Sequence, residues 1–176
     1  MTFLEEWFGP DSQTYLGELA VSVTDVEGLI VEIGCWQGRS TVALANAVAP
    51  RTVHAVDTWQ GSPGEVSASL AASRDVFAEF QANVAELTAG NVEIHRMGWR
   101  DFLPTVSEPV AFAFIDAEHS YREVYDNVAA LIPMMASGGV LCGDDMHHPP
   151  VRRALLDLLP ADEVWACTTV WSWRKP

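Results

Sequence analysis

Basic residues are scarce in this sequence. Ten Lys plus Arg stand against 24 Asp plus Glu, for a formal charge of -14. Such a chain repels phosphate backbones and anionic lipid surfaces, so neither nucleic acid nor membrane is an expected partner. It favours cations instead, a divalent metal or a cationic cofactor. No apolar run reaches the roughly 18 to 20 residues of a membrane span. The opening "MTFLEEWFGPD" has acids where an export signal carries bases, which points to a cytoplasmic location. Cysteine is sparse too, and Cys35, Cys142 and Cys167 lack metal-ligand spacing. Two of them lie in apolar runs and read as buried free thiols in a reducing compartment.

What is present is a composition of 49% hydrophobic and 19% charged residues, suited to one soluble domain over residues 1–176 with a substantial core. Apolar strands alternate with amphipathic helices. "GLIVEIG", "TVHAVDTW", "NVEIHRM", "PVAFAFID" and "VLCGD" read as strands, and "EVWAC" and "VWSWR" as a closing pair joined at Thr168-Thr169. Helices are expected near Ser12 to Val23, from about Arg39 to Ala49, and from Val151 to Leu159. A further helix carries Leu70, Phe77, Phe80, Val84 and Leu87 on one face, and another carries Val124, Val128, Leu131 and Met135. Gly138-Gly139 reads as the break before the fifth strand. Non-alternating apolar strands suit a parallel sheet covered on both faces. The expectation is an α/β, Rossmann-like, doubly wound and mostly parallel seven-stranded sheet with a C-terminal antiparallel hairpin.

Ligands of such sheets sit beyond the carboxyl ends of the strands. "VEIGCWQGRST" puts Glu32, Gly34 and Gly38 at that edge of the first strand. The glycines allow close backbone approach, and Glu32 can take a cationic or donor group. Asp57 ends the second strand, 19 residues after Gly38, where a carboxylate can accept both hydroxyls of a ribose. The spacing in "GCWQGRS" is not the G-x-G-x-x-G that grips a pyrophosphate. A ligand with a ribose, a positive amine and no phosphate fits better. Trp59 is placed with these residues, although packing of its own loop accounts for it as well.

A second constellation is acidic. Asp116 ends the fourth strand, and Asp144 and Asp145 end the fifth, 28 residues later. Neighbouring strands bring the three carboxylates to one edge, where each raises the pKa of the others unless a cation intervenes. Hard oxygen ligands suit Mg2+ better than Zn2+; the plainer reading of Asp144 or Asp145 is a helix cap. His119, in "DAEHSY", is the candidate general base with Asp116 as its competitor, or else a first-turn helix residue. His147 and His148 either bind metal or substrate or belong to an exposed loop.

Together these stretches resemble the class I S-adenosylmethionine-dependent methyltransferases, and more narrowly the metal-dependent O-methyltransferases of the catechol type and the macrocin and aminocoumarin-sugar type. The likeness runs over nearly all of residues 12–175, with "VEIGCWQGRST" as the first motif and "VHAVDTW" as the second. It implies S-adenosylmethionine as cofactor, with Glu32 at its methionine end, Gly34 and Gly38 along it and Asp57 on the ribose. It also implies Ser40 or Thr41 on the carboxylate, Gly98 and Trp99 at the adenine, and Asp116, Asp144 and Asp145 around Mg2+. The acceptor implied is a small molecule, a sugar or another polyhydroxylated natural product. A metal-independent enzyme relying on His119 and a cofactor-binding accessory protein are the alternatives. Little chain is available for a substrate lid, so the pocket is expected to be open or completed by a second copy.

Overall fold

The computed structural model describes residues 3–176. Seven strands form one sheet in the order β3-β2-β1-β4-β5-β7-β6. They are β1 (Leu29–Ile33), β2 (Val53–Asp57), β3 (Val92–Arg96), β4 (Val110–Ile115), β5 (Met135–Gly143), β6 (Trp165–Cys167) and β7 (Val170–Arg174). All pairings are parallel except those of β7, which runs antiparallel to both β5 and β6. The closing hairpin therefore inserts its second strand between β5 and its first. The doubly wound, Rossmann-like sheet is as its uninterrupted apolar strands require. Every residue of β4, "VAFAFI", is buried, because side chains on both faces meet helices.

On one face α1 (Pro10–Val21) and α2 (Arg39–Val48) pack Leu16, Ala20, Leu44 and Ala45 against Ile30, Phe112 and Phe114. On the other, the short α5 (Trp99–Phe102), α6 (Tyr121–Leu131) and α7 (Pro149–Leu158) set Phe102, Val124, Val128, Leu131, Val151 and Leu155 against Val31, Ala113 and Leu141. Strands are added outwards in one direction from β1 to β3 and in the other from β4 onwards, so the winding reverses between the parallel neighbours β1 and β4. That switch point is where a crevice opens at the strand ends. Among the described residues no helix is long and apolar enough to cross a membrane.

Two helices differ from the sequence reading. The span from Leu70 to Leu87 is not one helix but two, α3 (Val66–Ser73) and α4 (Val76–Leu87). Asp75 breaks them because its side chain accepts the Ala78 amide as an N-cap of α4. Phe80 and Val84 are buried as expected, whereas α3 buries nothing and Leu87 is 37% exposed. Met135 does not continue α6. Pro133 lies in a 3-10 turn, Ile132–Met134, after which Met135 starts β5, and Gly138-Gly139 lies inside that strand.

Candidate active site

The loop after β1 is built on a close approach. Gly34 has φ +86°, and a Cβ there would sit 2.0 Å from the carbonyl oxygen of Asp116. Only glycine lets the ends of β1 and β4 meet this way. The Asp116 amide donates to Ile33 at 2.8 Å and the Gly34 amide to Val56 at 2.9 Å, so three strand ends are tied together at the switch point. Gly38, at φ +87°, precedes α2, and a Cβ there would press on the Phe80 ring at 3.0 Å.

Asp57, at the end of β2, holds this loop. Its Oδ2 accepts the amides of Cys35 and Trp36 at 2.8 and 3.0 Å, and its Oδ1 accepts the Trp59 amide at 2.7 Å. Glu32 is fully buried, with Oε1 accepting the Ser40 hydroxyl at 2.5 Å. Its Oε2 has no hydrogen-bond partner among the described residues. Burial pushes its pKa up to about 7, against the hydroxyls of Ser40 and Thr41, which pull it down.

A cavity of about 550 Å³ opens beside these groups, within the size range of small-molecule sites. Gly34, Ser40, Asp57, Gly98, Trp99, Asp116, Asp144 and Asp145 line it. Glu32, Gly38, Thr41 and Trp59, expected at the cofactor, stand behind its wall. Trp59 packs against Phe77 and Phe80 with ring centroids 4.7 Å away, and its indole N–H donates to the Trp36 carbonyl at 2.8 Å. It shapes the loop rather than touching the cavity.

The acidic edge closes around a histidine. His119 Nε2 lies 2.7 Å from Asp145 Oδ2 and 4.0 Å from Asp116 Oδ1, while Nδ1 lies 3.0 Å from Glu65 Oε1. The ligand atoms of Asp116, His119 and Asp145 all fall within 4.8 Å of one another. His119 thus takes the place in the tight group that Asp144 holds in the expected set. Asp144 lies next to it, 8% exposed, its Oδ1 without a hydrogen-bond partner among the described residues. Its backbone is fixed, the amide donating to Ile115 and the carbonyl accepting the Trp171 indole N–H. Asp145 sits at φ +63°, a left-handed conformation that is costly outside glycine.

Electrostatics follow from this crowding. Burial, with Asp116 adding, pushes Asp144 up to about 7. Burial also raises Asp116, although His119 opposes it. Asp145 is lowered: burial raises it, but the contact with His119 and the charges of His148 and His147 outweigh that. His119 is pushed up to about 11 by Asp116 and Asp145 against its own burial. His147, exposed, and His148, half-buried, lie 3.9 and 3.7 Å from Asp145 Oδ1 at the rim of the same cluster.

Two parts of the site carry no sequence signal. Glu65, in the loop between β2 and α3, reaches His119 across 54 residues of chain. The segment before α1 forms a wall: Glu5 accepts the Trp36 indole N–H at 3.0 Å and pairs with Arg74 at 2.5 Å, and Trp7 lies against Trp36 at 5.4 Å. Glu5, Trp7, Phe8 and Trp36 line the cavity, so one side is covered where little lid was expected.

Fold and site define an enzyme of the class I methyltransferase type. The profile of a family described as "Methyltransferase domain" matches residues 31–146, and the chain belongs to that family. Among solved structures, the O-methyltransferase NovP is 25% identical over 95% of this chain and 80% of its own, with a TM-score of 0.72. TomG, an O-methyltransferase of Streptomyces achromogenes involved in tomaymycin synthesis and solved in complex with SAM, is 20% identical over 96% and 81%, with a TM-score of 0.70. CalS11, a TDP-rhamnose 3'-O-methyltransferase of calicheamicin biosynthesis, is 17% identical over 95% and 81%, with a TM-score of 0.64. No curated protein sequence matches the chain.

Proposed function

We propose that this methyltransferase takes its methyl group from S-adenosylmethionine and delivers it to a hydroxyl of a small polyhydroxylated molecule, with Mg2+ at the acidic edge. The carrying observation is the junction of the Asp57-held glycine loop and the Asp116–His119–Asp145 cluster in one cavity. The cofactor of TomG and the sugar acceptor of CalS11 support this reading. The net charge of -14 argues against an RNA acceptor.

The residues present fit a hard divalent ion. Asp116, Asp144 and Asp145 are oxygen donors on one edge, and Asp144 Oδ1 is buried with no partner among the described residues. A sulfonium donor supplies the electrophilic methyl, and a divalent ion supplies Lewis acidity that acidifies the acceptor hydroxyl. The chain supplies position and charge. Met97, Gly98 and Trp99 wall the side of the cavity beside β3, where an adenine would lie, and Asp57 stands at the ribose position. Ser40, with Glu32 behind it, puts a negative, hydrogen-bonding surface where an amine would lie. His119 faces the acceptor side. Were a cation held by Asp116 and Asp145, the pull that keeps His119 protonated would weaken, and a neutral imidazole there could accept a hydroxyl proton.

A metal-free reading has its own support, since His119 already neutralises the acids. Labelled methyl transfer to a panel of sugars and catechols, with Mg2+ or with EDTA, separates the two. Transfer that needs Mg2+ upholds the cation. Undiminished transfer in EDTA leaves protonated His119 as the charge that balances the acids and passes the hydroxyl proton to Asp116, and no transfer to any hydroxyl acceptor contradicts the O-methylation.

A further inference from the structure

A second cluster of ligand-type side chains lies outside the cavity, on β2 and the edge strand β3. His54 pairs in register with Glu93, and His95 follows two residues later, so the pleat puts all three side chains on one face. His54 is three residues before Asp57, about 10 Å along the strand. His54 Nδ1 and His95 Nε2 are 3.1 Å apart. Glu93 reaches both, with Oε2 3.7 Å from the first nitrogen and Oε1 3.5 Å from the second. The rings stack at 5.3 Å and 19°, and Phe102 packs 4.6 Å from His95 and 6.4 Å from His54. The imidazole side chains are 16% and 18% exposed, while Glu93 is 57% exposed.

We propose that His54, Glu93 and His95 bind a divalent transition ion of the Zn2+ type, with water in the remaining position. Two ring nitrogens about 2.0 to 2.1 Å from one tetrahedral ion stand roughly 3.3 Å from each other, which is close to the separation here. Without an ion, the facing nitrogens share a single proton at best. Two imidazoles and one carboxylate select Zn2+ and its neighbours over Mg2+. Burial, with His54 adding, lowers the His95 pKa against Glu93, which favours the neutral ring that ligates. Phe102 and the sheet shield the nitrogens, while exposed Glu93 leaves a path for entry. The ion ties the edge strand to β2 and so stabilises the fold independently of the chemistry in the cavity.

The test is a Zn2+ titration of the metal-free full chain in the presence of excess Mg2+, followed by imidazole ¹⁵N shifts and by stoichiometry. Wild type is expected to bind one more equivalent than His95→Gln, with shifts at His54 Nδ1 and His95 Nε2. Glu93→Ala, at an exposed position, should weaken that equivalent by at least about tenfold and leave the fold intact. If His95→Gln does not fold, the wild-type shifts and Glu93→Ala decide. Equal stoichiometry in wild type and His95→Gln, an unaltered affinity in Glu93→Ala, or unshifted nitrogens would overturn the proposal.

Discussion

His119 Nε2 and Asp145 Oδ2 stand 2.7 Å apart, joining the loop after β4 to the turn after β5. Nε2 is buried, yet it has no hydrogen-bond partner in good geometry among the described residues. The contact is therefore an ion pair of close charges, and both residues line the cavity.

The charge on His119 has a measurable consequence for the metal-free protein. Its pKa rises from 6.5 unfolded to about 11 folded, so its stabilising contribution is full below pH 6.5 and is lost as pH rises towards 11. NMR titration of the ring should show it protonated at pH 8, and Asp145→Asn should bring its pKa down. A wild-type ring titrating near 6.5 would refute this electrostatic picture.

Asp144 makes the opposite contribution at neutral pH. Its pKa rises from 3.8 unfolded to about 7 folded, so the fold is favoured while it is protonated and loses stability as pH climbs through that window. Asp144→Asn should therefore raise the metal-free melting temperature at pH 8, by the equivalent of about 2 to 4 kcal/mol, and change little at pH 4. The same substitution should lower Mg2+ affinity. Melting scans at both pH values, with and without Mg2+, check both halves.

At Gly34, alanine has no room. A Cβ 2.0 Å from the Asp116 carbonyl, at φ +86°, forces β1 and β4 apart at the switch point. Gly34→Ala should abolish soluble expression or lower stability by more than about 3 kcal/mol, whereas Gly64→Ala, at a similar φ of +81° but with nothing within 4 Å of its Cβ, should cost only the backbone strain of about 1 to 2 kcal/mol. Comparable denaturation midpoints for the two variants would contradict the packing argument.

Asp57 holds three backbone amides and faces the cavity. Asp57→Ala should weaken S-adenosylhomocysteine binding at least tenfold, in line with roughly 1.5 to 3 kcal/mol for hydrogen bonds to a charged acceptor. Asp57→Asn, which keeps one acceptor oxygen, should lose less. Calorimetric dissociation constants for both variants provide the check.

Much of this site was legible because strand ends are legible. Apolar runs that close on Gly34, Asp57, Asp116 and Asp144 mark the carboxyl edge of a parallel sheet, and topology brings those ends together. The break at Asp75 was hidden, since Leu70, Phe77 and Phe80 keep helical spacing across it, and only the cap to Ala78 reveals it. Met135 misled in the same way, at helical spacing but beyond Pro133. Glu65 and Glu5 were illegible for a different reason. Their partners, His119 and Arg74, are distant in sequence, and no periodicity encodes such a reach. Asp57 was legible as a carboxylate at the right edge, yet its grip on the loop amides requires the folded turn.

The most direct test of the account is calorimetric titration of the EDTA-treated wild-type chain with S-adenosylmethionine, repeated after adding Mg2+. The account predicts micromolar binding of one cofactor in both conditions. It also predicts a separate Mg2+ isotherm that disappears when Asp116 and Asp145 are both changed to Asn, while cofactor binding persists. Absence of cofactor binding, or tight binding of a dinucleotide in its place, would contradict it.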